Sequence, residues 1–345
     1  LVRTDQGFDP GAALIDAKRQ DPTISRVKLI ADPWEIVPGG YQLVAFPPHF
    51  HECKDRYRDN ARRFWRGDDH MVGPLAAHIV GSADHFDHSG RAATSSVNLL
   101  TAHDGFTLED TVSYKQRHNQ ANLEGNRDGH GENFSDNMGT EGPSTNPDIL
   151  SRRARRKRNM LATLFLSQGT PMLLGGDELG HSQNGNNNAY CQDNDTSWID
   201  WENIDNDLLT FVQQIIAFRK AHPVLRQKRF LHSLERSLDG QVDLFWWRED
   251  GTPMGQADWT DKTRRLIAVE LRMASGTPGY AACDAALFVV LNAGPAAELH
   301  LPVAPDGLQW HHDISTDTDT PLGPVDGRMT CPADSVAVLT LKKGE

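Results

Sequence analysis

Short apolar segments alternate with helical segments through the first two thirds of the chain, and this alternation constrains the fold most. Three segments are apolar on both faces and have the length of buried strands: "VKLIA" (27–31), "VNLLTA" (97–102) and "PMLLGG" (171–176). Helical patterns cover 54–67, 146–169 and 206–223. Strands buried on both faces that alternate with helices are typical of a parallel sheet covered by helices. We therefore predict an α/β fold for this part.

Beyond about residue 225 the pattern changes to strands separated by turns. Five segments there have strand character: "DLFWWRE", "RLIAVELRM", "ALFVVLNAG", "AELHLPVA" and "SVAVLTLKK". We find no helical pattern in this part and no internal repeat in the chain. The sequence predicts an all-β sandwich over 225–345, joined without a long flexible linker to an α/β domain over 1–224.

Composition narrows the classes of function. A net charge of −12 argues against binding to nucleic acid or to anionic membranes. The longest apolar runs are too short to span a bilayer, and the first residues lack the pattern of a secretion signal. The four widely spaced cysteines, at 53, 191, 283 and 331, suggest free thiols in a reducing compartment. We predict a cytoplasmic protein with no nucleic-acid or membrane partner.

One basic run, "RRARRKR" (152–158), departs from the acidic composition and has two interpretations. It resembles a nucleic-acid patch, but it also lies inside a helical pattern. Asn146 can cap that helix, Pro147 suits its first turn, and Gly169 follows its end. We interpret the run as the solvated face of a helix.

Acidic side chains follow the three predicted strands. The sequences at the strand ends are Asp32-Pro33-Trp34-Glu35, His103-Asp104-Gly105 and Asp177-Glu178. Carboxylates at the ends of parallel strands are typical of a (β/α)8 active site. The pattern places two acids on neighbouring strands, and the sequence shows no metal-ligand spacing and no Ser-His or Cys-His signature. These features favour glycoside hydrolysis. For Asp177 and Glu178 we favour a role in organising the loop.

Other interpretations of these residues stay open at this point. His103 could be a core histidine, Asp104 a helix cap, and Asp32 a turn residue before Pro33. The segment "NGNNNAYCQDND" (184–195) lacks the order of a calcium loop, so we favour a loop that hydrogen-bonds sugar hydroxyls. Four aromatic side chains could stack on sugar rings: Trp34, Tyr190, Trp198 and Trp201. We predict no metal and no cofactor.

Longer segments closely resemble a known family. They are "VKLIADPWEIVPGGYQL" (27–43), "VNLLTAHDGFTLEDTVSY" (97–114), "HNQANLEGNRDG" (118–129), "LSQGTPMLLGGDELGHSQNGNNNAYCQDND" (166–195) and "SWIDW" (197–201). Together they resemble the bacterial glycogen debranching enzymes, the isoamylase-like branch of the α-amylase superfamily. The resemblance covers nearly the whole chain and fades in the predicted sandwich.

This resemblance implies a retaining hydrolase that cuts α-1,6 branches of glycogen or limit dextrin. It implies that 1–224 form strands five to eight of a (β/α)8 barrel. By motif, Asp32 takes the acid/base position, and Asp104 with His103 binds sugar hydroxyls and stabilises the transition state. Four further residues are assigned to substrate binding: Trp34, Glu35, Asn186 and Asn187.

The sequence departs from the family pattern in two places. The family has glutamate before Pro-Trp and aspartate after it, whereas here Asp32 and Glu35 stand in the opposite order. Asp32 is one methylene shorter than glutamate, and a misplacement of about 1 Å can cost about a hundredfold in rate. Glu35 is not expected to replace Asp32. It lies three residues further along an extended segment, where its side chain points to the opposite face. The family's nucleophile, in a "FRFD"-type strand end, would precede "LVRTDQGFDPG" (1–11), so we expect none among these residues.

Three hypotheses follow. The chain is a debranching hydrolase that is nearly inactive alone, because a retaining enzyme needs two carboxyls about 5 Å apart. A second chain would then supply the missing half of the barrel. Alternatively, it is a non-catalytic protein that binds α-glucans. Lastly, it is a truncated remnant that does not fold independently, because half a barrel exposes sheet edges.

Overall fold

The protein is described by a computed structural model that covers residues 3–4, 7–34, 39–281 and 286–344. Short strands and helices alternate through its first part. In chain order these are β1 (Arg3–Thr4), β2 (Gly7–Phe8), α1 (Ala13–Gln20), β3 (Leu29–Ala31), β4 (Phe50–Lys54), α2 (Asp55–Arg66), α3 (Val72–Ile79), α4 (Ala83–Phe86), β5 (Ser96–Leu99), α5 (Leu108–Ser113), α6 (Pro147–Leu166), β6 (Thr170–Met172) and α7 (Asn206–Ala221).

Four of these strands form a parallel sheet in the order β3-β4-β5-β6. The sequence predicted only three of them and missed β4, because its buried positions include the charged residues Glu52 and Lys54. Its central Glu52 is fully buried, 2.7 Å from Arg91, and accepts a 2.5 Å hydrogen bond from the Val44 amide. The prediction that Asp32 and Asp104 lie on neighbouring strands is therefore wrong, since β4 lies between β3 and β5.

The second part is built of antiparallel sheets. Its elements are β7 (Leu244–Trp247), α8 (Gln256–Thr260), β8 (Leu266–Leu271), β9 (Leu287–Asn292), β10 (Ala297–His300), β11 (Leu308–Ser315), β12 (Gly323–Val325), β13 (Arg328–Cys331) and β14 (Ser335–Lys343). Six strands form one sheet in the order β12-β11-β14-β9-β8-β7, and β10 pairs with β13. All five predicted strands are present, whereas the strands β11, β12 and β13 and the short helix α8 were not predicted. The fold is therefore the parallel part of a barrel followed by a β domain, as the sequence predicted.

One apolar core runs through both parts of the chain. It joins Leu161 of α6, Leu225 after α7, and Ile267 of β8, all of which are fully buried. Unfolding either part would expose this shared core to water, which is unfavourable. The stability of the β domain is therefore coupled to that of the barrel segment. The division into 1–224 and 225–345 stays a prediction.

Three of the six basic side chains in the run of α6 are buried, so its interpretation as a solvated helix face is wrong. The exposed fractions of Arg153, Arg156 and Lys157 are 3%, 8% and 5%. Lys157 lies 2.7 Å from Glu109 and 2.9 Å from Asp205. Three other basic side chains of the run reach the β domain: Arg155 to Asp317, Arg156 to Asp334 and Arg158 to the carbonyl of Thr316. A helical period alone cannot reveal carboxylates that distant segments supply.

Two further predictions concern the membrane and the cysteines. No helix within the described residues is long and apolar enough to cross a bilayer. Cys53, Cys191 and Cys331 are free thiols, whereas Cys283 lies outside the described residues.

Candidate active site

Asp32 and Asp104 lie at the same edge of the parallel sheet. Asp32 directly follows β3, and Asp104 follows β5 in the loop that leads to α5. Loss of hydration is the largest cause of a raised pKa at Asp32, and the carboxylate of Asp104 raises that pKa further. His103 and the backbone amide of Trp34 act in the opposite direction. The two acids thus interact electrostatically although β4 separates their strands.

His103 and Asp104 present their side chains to solvent. Their side-chain exposures are 80% and 53%, and 3.6 Å separates His103 Nε2 from Asp104 Oδ2. This exposure rules out the interpretation of His103 as a core histidine. Asp104 is not the cap of α5 either, because the hydroxyl of Thr107 accepts the 3.1 Å hydrogen bond from the Asp110 amide. Both side chains are accessible to a ligand.

His130 is a residue of this region that the sequence did not indicate. Gly105 has a φ of +97°, and a Cβ at this position would lie 3.5 Å from Cδ2 of His130. Burial and the charge of Arg58 lower the pKa of His130, whereas Asp104 raises it. A neutral imidazole can both donate and accept hydrogen bonds beside Asp104. No spacing in the sequence identifies His130, which stands just after a segment of family resemblance.

Asp55, the first residue of α2, brings a third acid to this edge. Its charge contributes to the raised pKa of Asp32. Its Oδ1 accepts a 3.0 Å hydrogen bond from the hydroxyl of Tyr41, whose pKa is raised to about 12 by burial and by Asp55 itself. Tyr41 therefore stays protonated and holds the Asp55 carboxylate in place. The sequence prediction missed Asp55 because it missed β4.

Trp34 and Glu35 follow Asp32 in the chain. Trp34 is half-buried and its backbone amide hydrogen-bonds the Asp32 carboxylate, which favours the charged form of that acid. The stacking of a sugar ring on Trp34 stays a prediction. Glu35, which was predicted to contact the substrate, lies outside the described residues.

Two buried charged residues hold the loop that carries His103 and Asp104. Asp177 accepts hydrogen bonds from the hydroxyl of Thr101 and from the amide of Leu108, and burial raises its pKa to about 6. Arg62 donates 2.9 Å hydrogen bonds to the carbonyls of Leu100 and Asn133. These contacts agree with the loop-organising role that the sequence suggested for Asp177.

Asn186 and Asn187 are buried, with exposed fractions of 2% and 1%. Asn119 Nδ2 donates a 2.9 Å hydrogen bond to Asn187 Oδ1, and the Asn187 amide donates one of the same length to Asn119 Oδ1. Asn186 Nδ2 donates a 2.9 Å hydrogen bond to Asn122 Oδ1. The sequence predicted that both residues contact the substrate. In the structure their side chains instead join two loops, because buried amides must pair within the protein.

Asp128 belongs to the same hydrogen-bond network of the two loops and is bonded to its neighbours there. Asp128 Oδ2 accepts hydrogen bonds of 2.7 Å from Asn122 and 2.9 Å from Asn188. Across the described ranges, no three side chains of His, Cys, Asp or Glu form a group that could hold a metal ion. These hydrogen bonds join the amides of the loops to one another, whereas Asp128 Oδ1 has no hydrogen-bond partner among the described residues.

The chain is similar in sequence to two groups of curated proteins. It is 42% identical over 353 residues to the glycogen operon protein GlgX homolog of Mycobacterium bovis, which covers 98% of this chain and 49% of that protein. It is 48% identical over 252 residues to the glycogen debranching enzyme of Serratia proteamaculans, which covers 73% of this chain and 37% of that protein. The chain thus spans half or less of the length of these relatives. No protein-family model matches it.

The fold is similar to that of solved pullulanases. The type I pullulanase of Bacillus subtilis, solved in complex with maltose, superposes with a TM-score of 0.64 at 18% sequence identity. The match covers 95% of this chain and 41% of that protein. At this identity the similarity establishes the fold, a barrel with a β domain, and does not by itself assign an activity.

Proposed function

We propose that this chain, which is homologous to the glycogen operon protein GlgX homolog over 98% of its length and to a bacterial glycogen debranching enzyme over 73%, is part of a glycoside hydrolase acting on α-1,6 branches of glycogen or limit dextrin. Asp32 serves as the general acid and base of the proposed reaction. Asp104 and His103 bind hydroxyls of the sugar at the cleavage site and stabilise the transition state. The cytoplasm is the proposed compartment.

The observation that carries this proposal is the placement of Asp32 beside His103 and Asp104 at one edge of the sheet. Loss of hydration raises the pKa of Asp32 above its ordinary value, which is the direction that a general acid requires. Asp104 contributes to that shift through its negative charge. The same charge stabilises the positive charge that develops on the sugar as the glycosidic bond breaks.

A retaining mechanism also needs a nucleophilic carboxylate about 5 Å from the acid. The family's nucleophile motif has no match within these 345 residues. We therefore propose that the chain alone releases little or no product. Another segment or a second chain carrying the remaining barrel strands would supply the nucleophile.

The test is the release of reducing ends from a β-limit dextrin. The 345-residue chain is assayed beside the protein purified from its native source, whose intact mass is measured. We expect release by the native protein and a loss of more than about a hundredfold in a D104N variant of it. D319N, which changes an exposed acid of the β domain, is the matched control and should keep the wild-type rate.

The second candidate function is binding of α-glucan without catalysis. Two observations favour it: the aspartate at the acid position and the exposure of His103 and Asp104. Saturable binding of glycogen by a native protein that releases no reducing ends at any protein concentration would support this function and contradict hydrolysis.

A further inference from the structure

Two tryptophans after β6 expose most of their indole surface. Trp198 is 57% exposed and Trp201 is 71% exposed. Large apolar side chains are normally covered in the folded state, and exposed aromatic surface often marks a binding site. Neither ring is needed to cover the apolar core, which lies elsewhere.

Trp198 is also held in one orientation. Its only polar side-chain atom, Nε1, donates a 3.0 Å hydrogen bond to Asp193 Oδ1. Its backbone amide donates a 3.0 Å hydrogen bond to the carbonyl of Asn194, in a turn that Thr196 closes with a 2.9 Å bond to Asn194 Oδ1. An exposed ring that is already fixed loses little conformational entropy when a ligand covers it.

A polar cleft of about 280 Å³ lies beside Trp198. Among its lining residues are His181, Asn184, Asp195, Trp198 and Asn203. Burial lowers the pKa of His181, which favours the neutral form of its ring. Neutral and anionic hydrogen-bonding groups around an aromatic face suit a ligand that has both hydroxyl groups and an apolar face. The C–H face and hydroxyl rim of a glucose ring have this chemistry.

We propose that Trp198 and this cleft form a tryptophan platform that binds α-1,4-linked glucose residues outside the cleavage site. The platform rests on the proposed function, because it assumes an α-glucan ligand. Leu179 and Gly180, which follow closely after β6, line the same cleft as Trp198, so the cleft lies at the end of the sheet that carries His103 and Asp104. The loops are connected, since the Gly105 amide donates a 3.0 Å hydrogen bond to the Asn187 carbonyl. The platform can then bind a long glucan chain at a second point, in addition to the cleavage site.

The experiment measures the binding of maltoheptaose to the 345-residue chain by titration calorimetry. We expect W198A to weaken binding about tenfold and W198F, which keeps an aromatic face, to stay within about threefold of wild type. D193A keeps the indole but removes the hydrogen bond that fixes it, so we expect an intermediate loss. Y280A removes another exposed aromatic ring, in the β domain, and should leave the affinity unchanged.

Equal affinity of wild type and W198A would overturn the platform. The same variants in the native protein separate this failure from failure of the proposed function. Unchanged KM for limit dextrin in an active W198A protein would reject the platform and keep the hydrolase. Weakened binding by W198A in a protein that releases no reducing ends would support the platform and reject the hydrolase.

Discussion

The buried carboxylate of Asp177 accepts a 2.8 Å hydrogen bond from the backbone amide of Leu108. Asp177 lies after β6, whereas Leu108 is the first residue of α5, so the bond joins the segments that follow two neighbouring strands. The second oxygen of Asp177 accepts a hydrogen bond from the hydroxyl of Thr101. One acid therefore fixes both ends of the loop that presents His103 and Asp104.

We expect the free energy of unfolding to depend on pH through Asp177. Burial raises its pKa in the folded state to about 6, above the ordinary value of 3.8. The folded protein then binds more protons than the unfolded chain between these values, so this group adds stability as the pH falls from 7 to 5. D177N cannot titrate at this position. Relative to D177N, the free energy of unfolding of wild type should rise by about 1 kcal/mol as the pH falls from 7 to 5.

Urea unfolding of wild type and D177N at pH 5 and pH 7 measures this difference. D306N, which changes an exposed acid in the β domain, is the control and should leave the pH dependence unchanged. If the difference in free energy of unfolding between wild type and D177N were the same at pH 5 and pH 7, Asp177 would titrate as an ordinary surface acid.

Lengthening the side chain at position 32 should increase activity. Asp32 stands where the resembling family has glutamate, and a carboxyl set back by about 1 Å can cost about a hundredfold in rate. D32E in the native protein is therefore expected to release reducing ends from limit dextrin at least tenfold faster than wild type. The isosteric D32N, which cannot donate a proton, should be slower than wild type. A D32E rate no higher than that of D32N would contradict the assignment of Asp32 as the acid.

The sequence predicted those parts of the fold that depend on local pattern. The helix Asp55–Arg66 ends at Gly67, which has a φ of +88°, and Asn146 caps α6 through a 2.9 Å hydrogen bond to the Asp148 amide, as predicted. β4 was missed because its buried Glu52 and Lys54 read as surface residues. Glu52 is buried beside Arg91, which lies far along the chain and which no local pattern indicates.

The candidate site was predicted unevenly for the same reason. Motif resemblance indicated Asp32, His103 and Asp104, which the structure brings to one edge and whose roles stay predictions. It could not distinguish an asparagine that binds a ligand from one that holds a loop, because both require the same residue type. Asn187 is fully bonded inside the protein, and only its burial reveals this.

Gly129 should tolerate no side chain, because Asn187 occupies the adjacent space. A Cβ at Gly129 would lie 2.2 Å from Asn187 Oδ1, and the φ of +75° already disfavours other residues. We expect G129A to lower the free energy of unfolding by about 2 kcal/mol more than G125A does. Gly125 has a similar φ of +65° but only an ordinary 3.6 Å contact, with Arg127, so it isolates the clash from the backbone strain.

Chemical unfolding of both glycine variants gives the two free energies. Equal losses in G129A and G125A would mean that the loop around Asn187 moves aside at no cost. The pairing of Asn119 with Asn187 would then be too weak to define the loop.

Lys54, at the end of β4, is fully buried and its Nζ has no hydrogen-bond partner among the described residues. The ammonium lies 5.8 Å from the centre of the Phe86 ring, and the charges of Asp84 and Asp55 also favour its charged form. Burial outweighs them and lowers the pKa of Lys54 to about 7. The charged amine is therefore a source of instability at neutral pH.

Replacing Lys54 with methionine should stabilise the protein, most strongly at low pH. Because the folded pKa of about 7 lies below the ordinary 10.5, the unfolded chain binds more protons between these values, and wild type gains stability as the pH rises. From pH 6.5 to pH 8.5 the free energy of unfolding of wild type should rise by about 2 kcal/mol relative to that of K54M. Urea unfolding at both pH values measures this, with the exposed Lys220 changed to methionine as the control. A K54M protein less stable than wild type at pH 6.5 would show that the buried ammonium forms a favourable interaction in the folded protein.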